Sequence, residues 1–543
     1  MLQVSPSLVL VVSSLVVLAV RNALRLAKLL RRYVSTPPVR APDVPDFLGW
    51  SACTLSRAIK SGNLRSVDVV DACIAVLKST SELNAIVSER FAEARKEALQ
   101  ADAQISSCRG DGEALPPFLG VPIIMKEAVE YPGVSYTYGL VRRRGALGHR
   151  KGPVVRRIED AGFIVLGFGN TSEACMWMES YNCVYGRTSS PFDMSRTPGG
   201  SSGGTAAGVA VLGSPIGVTA DIGGSTRIPA FFCGLFGHKA TGGRVANTGT
   251  HVENCHGAIC RICQTGHVTR HAEDLLPFLK IIAGPPSAEE DPQAAEYLPY
   301  PSWSEQSPDF SRLRVIPLTF RGGLPRAAKD LLSVLISSVS GELREGQARV
   351  VEWFKAQGCQ IQPMHFEDLR VGEWFGTWAD RNQAAGGPTF RQVLCGGKET
   401  FGVSEIFRYM FGKSHHTLAA LGLAFLEDIV EYFSPPQDVR LQNAAAVEGL
   451  LDAALGDYGV FILPVLPKHG CKHDELLLRI LDSSFTCIWN ALEFPATAVP
   501  LGLADGLPLG VQIVSKRGND ELTISLAAAL EKAGIARCVA PGS

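Results

Sequence analysis

Little of this 543-residue chain is charged: Lys, Arg, Asp and Glu make up 19% of it, and 52 basic residues nearly balance 53 acidic ones. That excludes a disordered polyelectrolyte. It also gives no reason to expect nucleic acid as a partner, since phosphates demand a basic excess. No repeat of 20–50 residues recurs, so a solenoid is excluded. The 14 cysteines follow no framework spacing. Cys73, Cys233 and Cys487 sit in apolar runs, as small buried hydrophobes do. Reduced thiols in a cytosolic body are expected, not a secreted disulfide scaffold. None of the 11 histidines is marked by its surroundings, so a His-dependent triad has no support.

Charge is also unevenly placed. Residues 1–40 hold six basic side chains (Arg21, Arg25, Lys28, Arg31, Arg32, Arg40) and no acid, which leaves 46 basic against 53 acidic residues elsewhere. Residues 1–20 carry no charge, and Leu8–Val20 is apolar but for Ser13 and Ser14. About 20 residues span a bilayer core. A secretory leader would put its charges first; here they follow, with Arg21, Arg25, Lys28 and Arg32 on one helix face. The reading is a membrane anchor with a basic amphipathic extension over residues 1–33, then a linker over 34–54 and a catalytic body over 55–543. The basic face suits an anionic lipid surface, and the charge bias puts the body on the cytosolic side. Single-pass residence in the endoplasmic reticulum or on lipid droplets is expected.

In the body, Val69, Val70, Cys73, Ile74 and Leu77 line one helix face, with Ser66 placed to cap it. Strand-like runs occur at Val121–Met125, Phe163–Phe168, Ile216–Thr219, Val460–Leu463 and Val511–Val514. Helical patterns at Gly152–Ala161, His271–Ala283 and Asp520–Lys532 alternate with them. The pattern predicts an α/β protein with a mixed or parallel sheet. Pro285–Pro308, rich in Pro, Glu and Ser, is either a domain boundary or a surface connection.

Pro198–Pro229 concentrates glycine and serine. Gly199-Gly200-Ser201-Ser202-Gly203-Gly204 leads into an Ala-rich stretch and a strand, then Asp221-Ile222-Gly223-Gly224-Ser225. Glycines let a backbone turn tightly and aim several N–H groups at one point. A serine beside such donors is the geometry of acyl transfer, although a loop with no reaction to perform fits the composition equally well. Gly199–Gly203 also matches G-x-S-x-G, but that nucleophile elbow needs a strand directly before it, and SSPFDMSRTP is polar and broken by proline. A serine without histidine needs another base, and lysine is the known substitute. Lys126, ending an apolar strand, is the candidate, though a lysine there is more often a snorkelling surface residue.

Together these segments resemble the amidase signature family: the glycine–serine block, Ser225 in DIGGSTRIP 24 residues after Ser201, and the lysine in GVPIIMKEA. GLPLGVQIV at Gly506–Val514 resembles that family's C-terminal end. CMWMES, VYGRTSSPFD, IPAFFCGLFGHK and HAEDLLPFLKIIAGP are similar to its fatty-acid amide hydrolase branch. The resemblance implies a mixed central sheet covered by helices and no cofactor. It implies Ser225 as nucleophile, Lys126 as base and Ser201 as proton relay. The N–H groups of Ile222, Gly223, Gly224 and Ser225 would form the oxyanion hole. Ser202 and Arg227 would support it, and Asp221 would hold the loop. Thr226 departs from the aliphatic residue usual there. An ordinary lysine keeps its proton to about pH 10.4, so such a base must be buried away from carboxylates.

The expected substrates are long-chain primary amides and N-acylethanolamines, cleaved to fatty acid and amine. Met176 and Trp177 would line the acyl channel. Val403, Ile406, Phe407, Tyr409, Met410, Phe411, Leu418, Leu421, Leu423 and Phe425 would form an apolar entrance, or else an ordinary core helix pair. The partners are the lipid membrane and the substrate, with a homodimer left open. The alternatives are an amidase of another substrate class, an amidotransferase-type subunit and a non-catalytic lipid-binding relative. His251, Cys255, His256, Cys260, Cys263 and His267 contain a single C-x-x-C, a poor zinc signature, and no metal is expected.

Overall fold

The computed structural model describes residues 38–39, 44–108, 114–250, 258–289, 297–304, 307–321, 336–396 and 403–542. The expected membrane segment lies outside them. Among the described residues no helix is long and apolar enough to cross a membrane.

The strands run in chain order as β1 (Ile86–Glu89), β2 (Pro122–Lys126), β3 (Ile164–Gly169), β4 (Tyr181–Asn182), β5 (Gly186–Arg187), β6 (Ile216–Asp221) and β7 (Phe236–Lys239). There follow β8 (Gln264–Thr269), β9 (Arg314–Thr319), β10 (Gln360–Ile361), β11 (Met364–His365), β12 (Gly459–Leu463), β13 (Ala496–Ala504) and β14 (Leu507–Ser515). Twelve of them join one sheet in the order β1-β3-β2-β6-β8-β7-β13-β14-β12-β9-β10, with β11 beside β9, while β4 and β5 pair apart. The sheet is mixed. β3, β2 and β6 are parallel, as are β12, β9 and β10. Between these two blocks the pairings are antiparallel.

Every residue of β2, β3, β6 and β12 is buried. Strands covered on both faces read as continuous apolar runs, which is why these four were legible in the sequence. The helix Asp520–Lys532 forms over the span expected and lies along β13 and β14. The pattern at His271–Ala283 splits into a 3-10 turn, Ala272–Asp274, and a helix, Leu275–Ile282.

Two local expectations are corrected. Ser66 is the first residue of its helix rather than its cap. The free N–H groups of Ser66 and Val67 donate to Asp102 of a neighbouring helix at 2.7 and 3.1 Å, while the Ser66 hydroxyl donates to the Gly120 carbonyl at 2.8 Å. A carboxylate from another element can cap better than the residue's own hydroxyl, because its charge complements the helix N-terminus. Nor is all of residues 34–54 linker. Leu48 is buried, Ser51 caps the helix Ala52–Ser61, and Asp274 accepts from the N–H groups of Ala52 and Cys53 at 2.9 Å each. The stretch around 285–308 is no domain boundary, since β8 and β9 on either side of it enter one sheet. Within it Tyr297 is buried, and the Leu298 N–H donates to the Gly243 carbonyl at 2.7 Å.

Candidate active site

Two adjacent parallel strands end at one edge. β2 and β6 pair in the register Ile123–Ile216, Ile124–Gly217 and Met125–Val218. Lys126, last in β2, and Ile222–Ser225, which leave β6, therefore emerge side by side. The carboxyl ends of parallel strands are where open α/β sheets gather functional groups. The loop Pro198–Ser202 joins them by feeding the helix Gly203–Ala210, which packs on β2, β3 and β6.

Lys126 is 1% exposed, and its Nζ donates to Ser201 Oγ at 2.6 Å. Among the described residues no carboxylate pairs with it. Glu127, next in the chain, turns to other partners: its Oε1 accepts from the Thr137 N–H, the Thr137 hydroxyl and the Tyr185 hydroxyl, at 2.8 Å each. Burial pushes Glu127 up to about 7, and those hydrogen bonds offset this only in part. Ser201 is itself held by its backbone. Its carbonyl accepts from the Ser172 N–H at 3.3 Å and from the Ser180 hydroxyl at 3.0 Å. A Cβ on Gly200 would stand 2.6 Å from the Trp177 carbonyl oxygen, so only glycine lets this loop press against the segment carrying Met176 and Trp177. The Gly200–Ser201 peptide is cis.

Lys126 and Ser201 are sealed from solvent, whereas Ser225 is 9% exposed and Ile222 and Gly223 are half-buried. The Ser225 hydroxyl makes no hydrogen bond with a described residue. Beneath it Asp221 fastens the turn. Its Oδ1 accepts from the Gly224 N–H at 2.7 Å and Arg227 Nη2 at 3.0 Å, and its Oδ2 from the Thr226 N–H and Arg227 Nε at 3.1 Å each. Burial alone would raise this carboxyl, but the Arg227 charge and hydrogen bonds outweigh it and hold Asp221 down at about 2. Arg227 donates onward to Asn490 Oδ1 at 2.7 Å and Gln512 Oε1 at 3.1 Å. Ser202 is buried, with Oγ 3.5 Å from both the N and the O of Ala220, and Thr226 shares a 2.7 Å hydroxyl contact with Thr219.

The geometry narrows the expected oxyanion hole. The Gly224 N–H is committed to Asp221, so it is withdrawn from the set. The N–H groups of Ile222, Gly223 and Ser225 donate to no described residue. Two residues that sequence reasoning missed hold the carbonyls of this turn. Trp378 Nε1 donates to the Ile222 carbonyl at 2.7 Å, and the Thr486 hydroxyl donates to the Gly223 carbonyl at 2.6 Å. A peptide unit is planar, so fixing the Ile222 carbonyl also aims the Gly223 N–H the opposite way. Gly224, at φ +127°, could not carry a side chain here: its Cβ would lie 2.4 Å from Thr486 Oγ1. Asn490 and Gln512 were also missed. Their only signal is an amide inside an otherwise apolar helix and strand.

Met176 and Trp177 line a small, mostly apolar cleft with Glu173, Phe390, Leu394, Ala420 and Leu423 among its walls. Of the cysteine–histidine group, Cys260, Cys263 and His267 are described, and among the described residues no three potential ligands gather at one point. His267 Nε2 meets the Leu275 carbonyl at 3.0 Å, and the carbonyls of Cys260 and Cys263 accept from Asn247 and Gln264. His251, Cys255 and His256 lie outside the described residues.

The family description Amidase matches residues 68–524. The chain belongs to the amidase family. This amidase is 37% identical over 509 residues to fatty-acid amide hydrolase 2-A of Danio rerio, covering 92% of this chain and 90% of that one. It is 35% identical over 507 residues to fatty-acid amide hydrolase 2 of Homo sapiens, covering 90% of each. Among solved structures, 6-aminohexanoate cyclic dimer hydrolase superposes with a TM-score of 0.66 at 23% identity, covering 90% of this chain and 97% of that one. A fatty acid amide hydrolase superposes at 0.63 and 20%, covering 90% and 85%. Those two likenesses concern the fold. The amidase is an amide-hydrolysing enzyme.

Proposed function

We propose that this amidase cleaves fatty-acid amides at a membrane surface through an acyl-enzyme on Ser225. The observation that carries the reading is the buried 2.6 Å contact from Lys126 to Ser201 at the edge where the Ile222–Ser225 turn emerges. Lys126 takes the proton of Ser201, and Ser201 takes that of Ser225. Ser225 Oγ then attacks the amide carbonyl. The developing oxyanion meets the N–H groups of Ile222, Gly223 and Ser225. The proton returns through Ser201 to the amide nitrogen, the C–N bond breaks and the amine leaves. Water then attacks the acyl-enzyme, the fatty acid departs and Ser225 recovers its proton. Early protonation of nitrogen lets amides compete with esters, whose leaving group is better.

The substrate class rests on the fatty-acid amide hydrolase 2 relatives and on the apolar cleft behind the serine loop, with Met176 and Trp177 as acyl-chain contacts. The bilayer as partner is supported by large apolar side chains left in solvent: Phe407 is 56% and Phe411 74% exposed. Tyr409, Leu418 and Phe425 are exposed nearby, while Leu421 and Leu423 turn inward. With residues 1–33 as anchor, this face would draw substrate from the membrane of the endoplasmic reticulum or a lipid droplet.

A fluorophosphonate probe tests the nucleophile: labelling of the native protein and its loss in Ser225→Ala are expected. A panel of primary amides and N-acylethanolamines of increasing chain length tests the substrate, with kcat/KM expected to rise with length and on the alkaline side of neutrality. No labelling of the native protein, or ammonia release from glutamine only with a partner, would overturn the reading.

A further inference from the structure

Of the outer helices Phe390–Cys395, Val403–Met410 and Leu418–Phe433, the third packs on each of the other two, and its Glu427 accepts from the N–H groups of Phe390 and Arg391 at 3.1 and 3.3 Å. Apolar packing and the bond from Arg142 Nη2 to the Val393 carbonyl at 3.1 Å join them to the catalytic body, and so does one buried carboxylate. Glu173 has a side chain 2% exposed. Its Oε2 accepts from the Thr417 N–H at 2.7 Å, and its Oε1 lies 2.6 Å from His416 Nδ1. Thr417 immediately precedes the helix Leu418–Phe433, and its hydroxyl accepts from the Ala420 N–H at 3.2 Å. A negative charge is thus seated on a helix N-terminus, where the aligned peptide dipoles favour it.

On its other side Glu173 belongs to the catalytic wall. Ser172, one residue earlier, donates its N–H to the Ser201 carbonyl and accepts from the Trp177 N–H at 3.1 Å. The Glu173 carbonyl accepts from the Met176 N–H at 3.1 Å. Between them Ala174 and Cys175 hold left-handed φ values of +55° and +59°, a conformation that residues with a Cβ adopt only when their surroundings enforce it. Glu173 and Thr417 both line the apolar cleft. One buried carboxylate therefore spans from the loop that holds Ser201 to the helices that carry the exposed apolar face.

We propose that Glu173 is a positioning residue that registers the outer helices against the acyl cleft, and so decides how well long acyl chains are held. The proposal deepens the reading of the cleft as the acyl site and rests on it for its kinetic consequence. It does not rest on it for its structural consequence. Replacing the buried carboxylate by a neutral amide weakens the contacts to Thr417 and His416 together, since the charge and one acceptor oxygen are lost.

The test uses the full chain and two variants, Glu173→Gln and His416→Ala. In Glu173→Gln, KM for a sixteen-carbon amide is expected to rise about tenfold, while kcat/KM for a four-carbon amide falls by less than about threefold. His416→Ala, which removes one of the two contacts from the outer side, is expected to move KM in the same direction by about threefold. Backbone hydrogen exchange over 417–424 is expected to accelerate at least about tenfold in Glu173→Gln and less in His416→Ala. Equal losses for long and short substrates, or unchanged exchange over 417–424, would overturn the proposal. If the native enzyme turns over no long-chain amide, the acyl-site reading fails instead, and the exchange result alone decides the role of Glu173.

Discussion

Two lysines are buried among the described residues of this amidase, and they differ in what they touch. Lys126 ends β2, and its Nζ meets one hydroxyl, that of Ser201. Lys239 ends β7, and its Nζ donates at 2.7 Å to the carbonyl of Ala240. Burial pushes Lys239 down to about 7; the nearby charge of Arg227 adds to this, against the pull of Asp221 and Asp520. The Lys239 amine would be neutral at alkaline pH, yet a carbonyl cannot pass a proton onward. The comparison teaches that a buried amine is insufficient for base catalysis. Under the proposed mechanism it also needs a hydroxyl to relay the proton, and Ser201, on the loop Pro198–Ser202 beside the end of β2, is placed to supply it.

The comparison breaks most readily at Lys126→Met. A general base contributes about 10²–10⁴-fold, so kcat is expected to fall by about 10³-fold with little change in KM, measured on any substrate the native enzyme turns over. Retained turnover would mean that a different group takes the proton. A smaller effect sharpens it from the acceptor side. Trp378→Phe removes the indole N–H that aims the Gly223 N–H, and kcat is expected to drop about tenfold with KM nearly unchanged. A rise in KM alone would assign Trp378 to substrate packing.

The smallest effect on activity belongs to Lys239→Met, with kcat expected within about threefold of native. Its signature is in stability. The unfolded chain keeps this proton to its ordinary value of 10.5, whereas the folded protein releases it near 7. Between those limits the unfolded state binds more protons, so folding gains stability from this group as pH rises. The native minus Lys239→Met difference in denaturation free energy should therefore grow from pH 7 to pH 10.5, by an amount on the order of 3 kcal/mol. Subtracting the variant removes the contribution of the buried tyrosines and cysteines. Parallel curves would mean that Lys239 keeps its proton throughout.

Legibility in the sequence followed the range of the interaction. β2, β6 and β12 were readable as apolar runs because burial on both faces leaves no alternation to disguise them. The glycine–serine block was readable because its tight turns need glycine, and Gly200 and Gly224 have no room for a Cβ. Ser66 misled because its true capping partner, Asp102, comes from another helix. Residues 44–54 misled because a short stretch that follows several prolines looks like linker until Asp274, more than 200 residues away, is folded onto it. Trp378 and Thr486 gave no warning, and Asn490 and Gln512 gave only that of an amide inside a largely apolar helix and strand. Each acts on the serine turn from far along the chain, through a contact without local periodicity.

Residue type and short-range pattern, then, determined which strands form and where the chain can turn tightly, since these depend on side-chain volume and backbone freedom. The folded sheet alone decided which N–H groups stay available beside Ser225 and which buried lysine reaches a hydroxyl. The register of β2 on β6 and the contacts of Trp378, Thr486 and Asp221 bring together groups that the linear order keeps apart, and hydrogen bonds are made only by groups that meet in space.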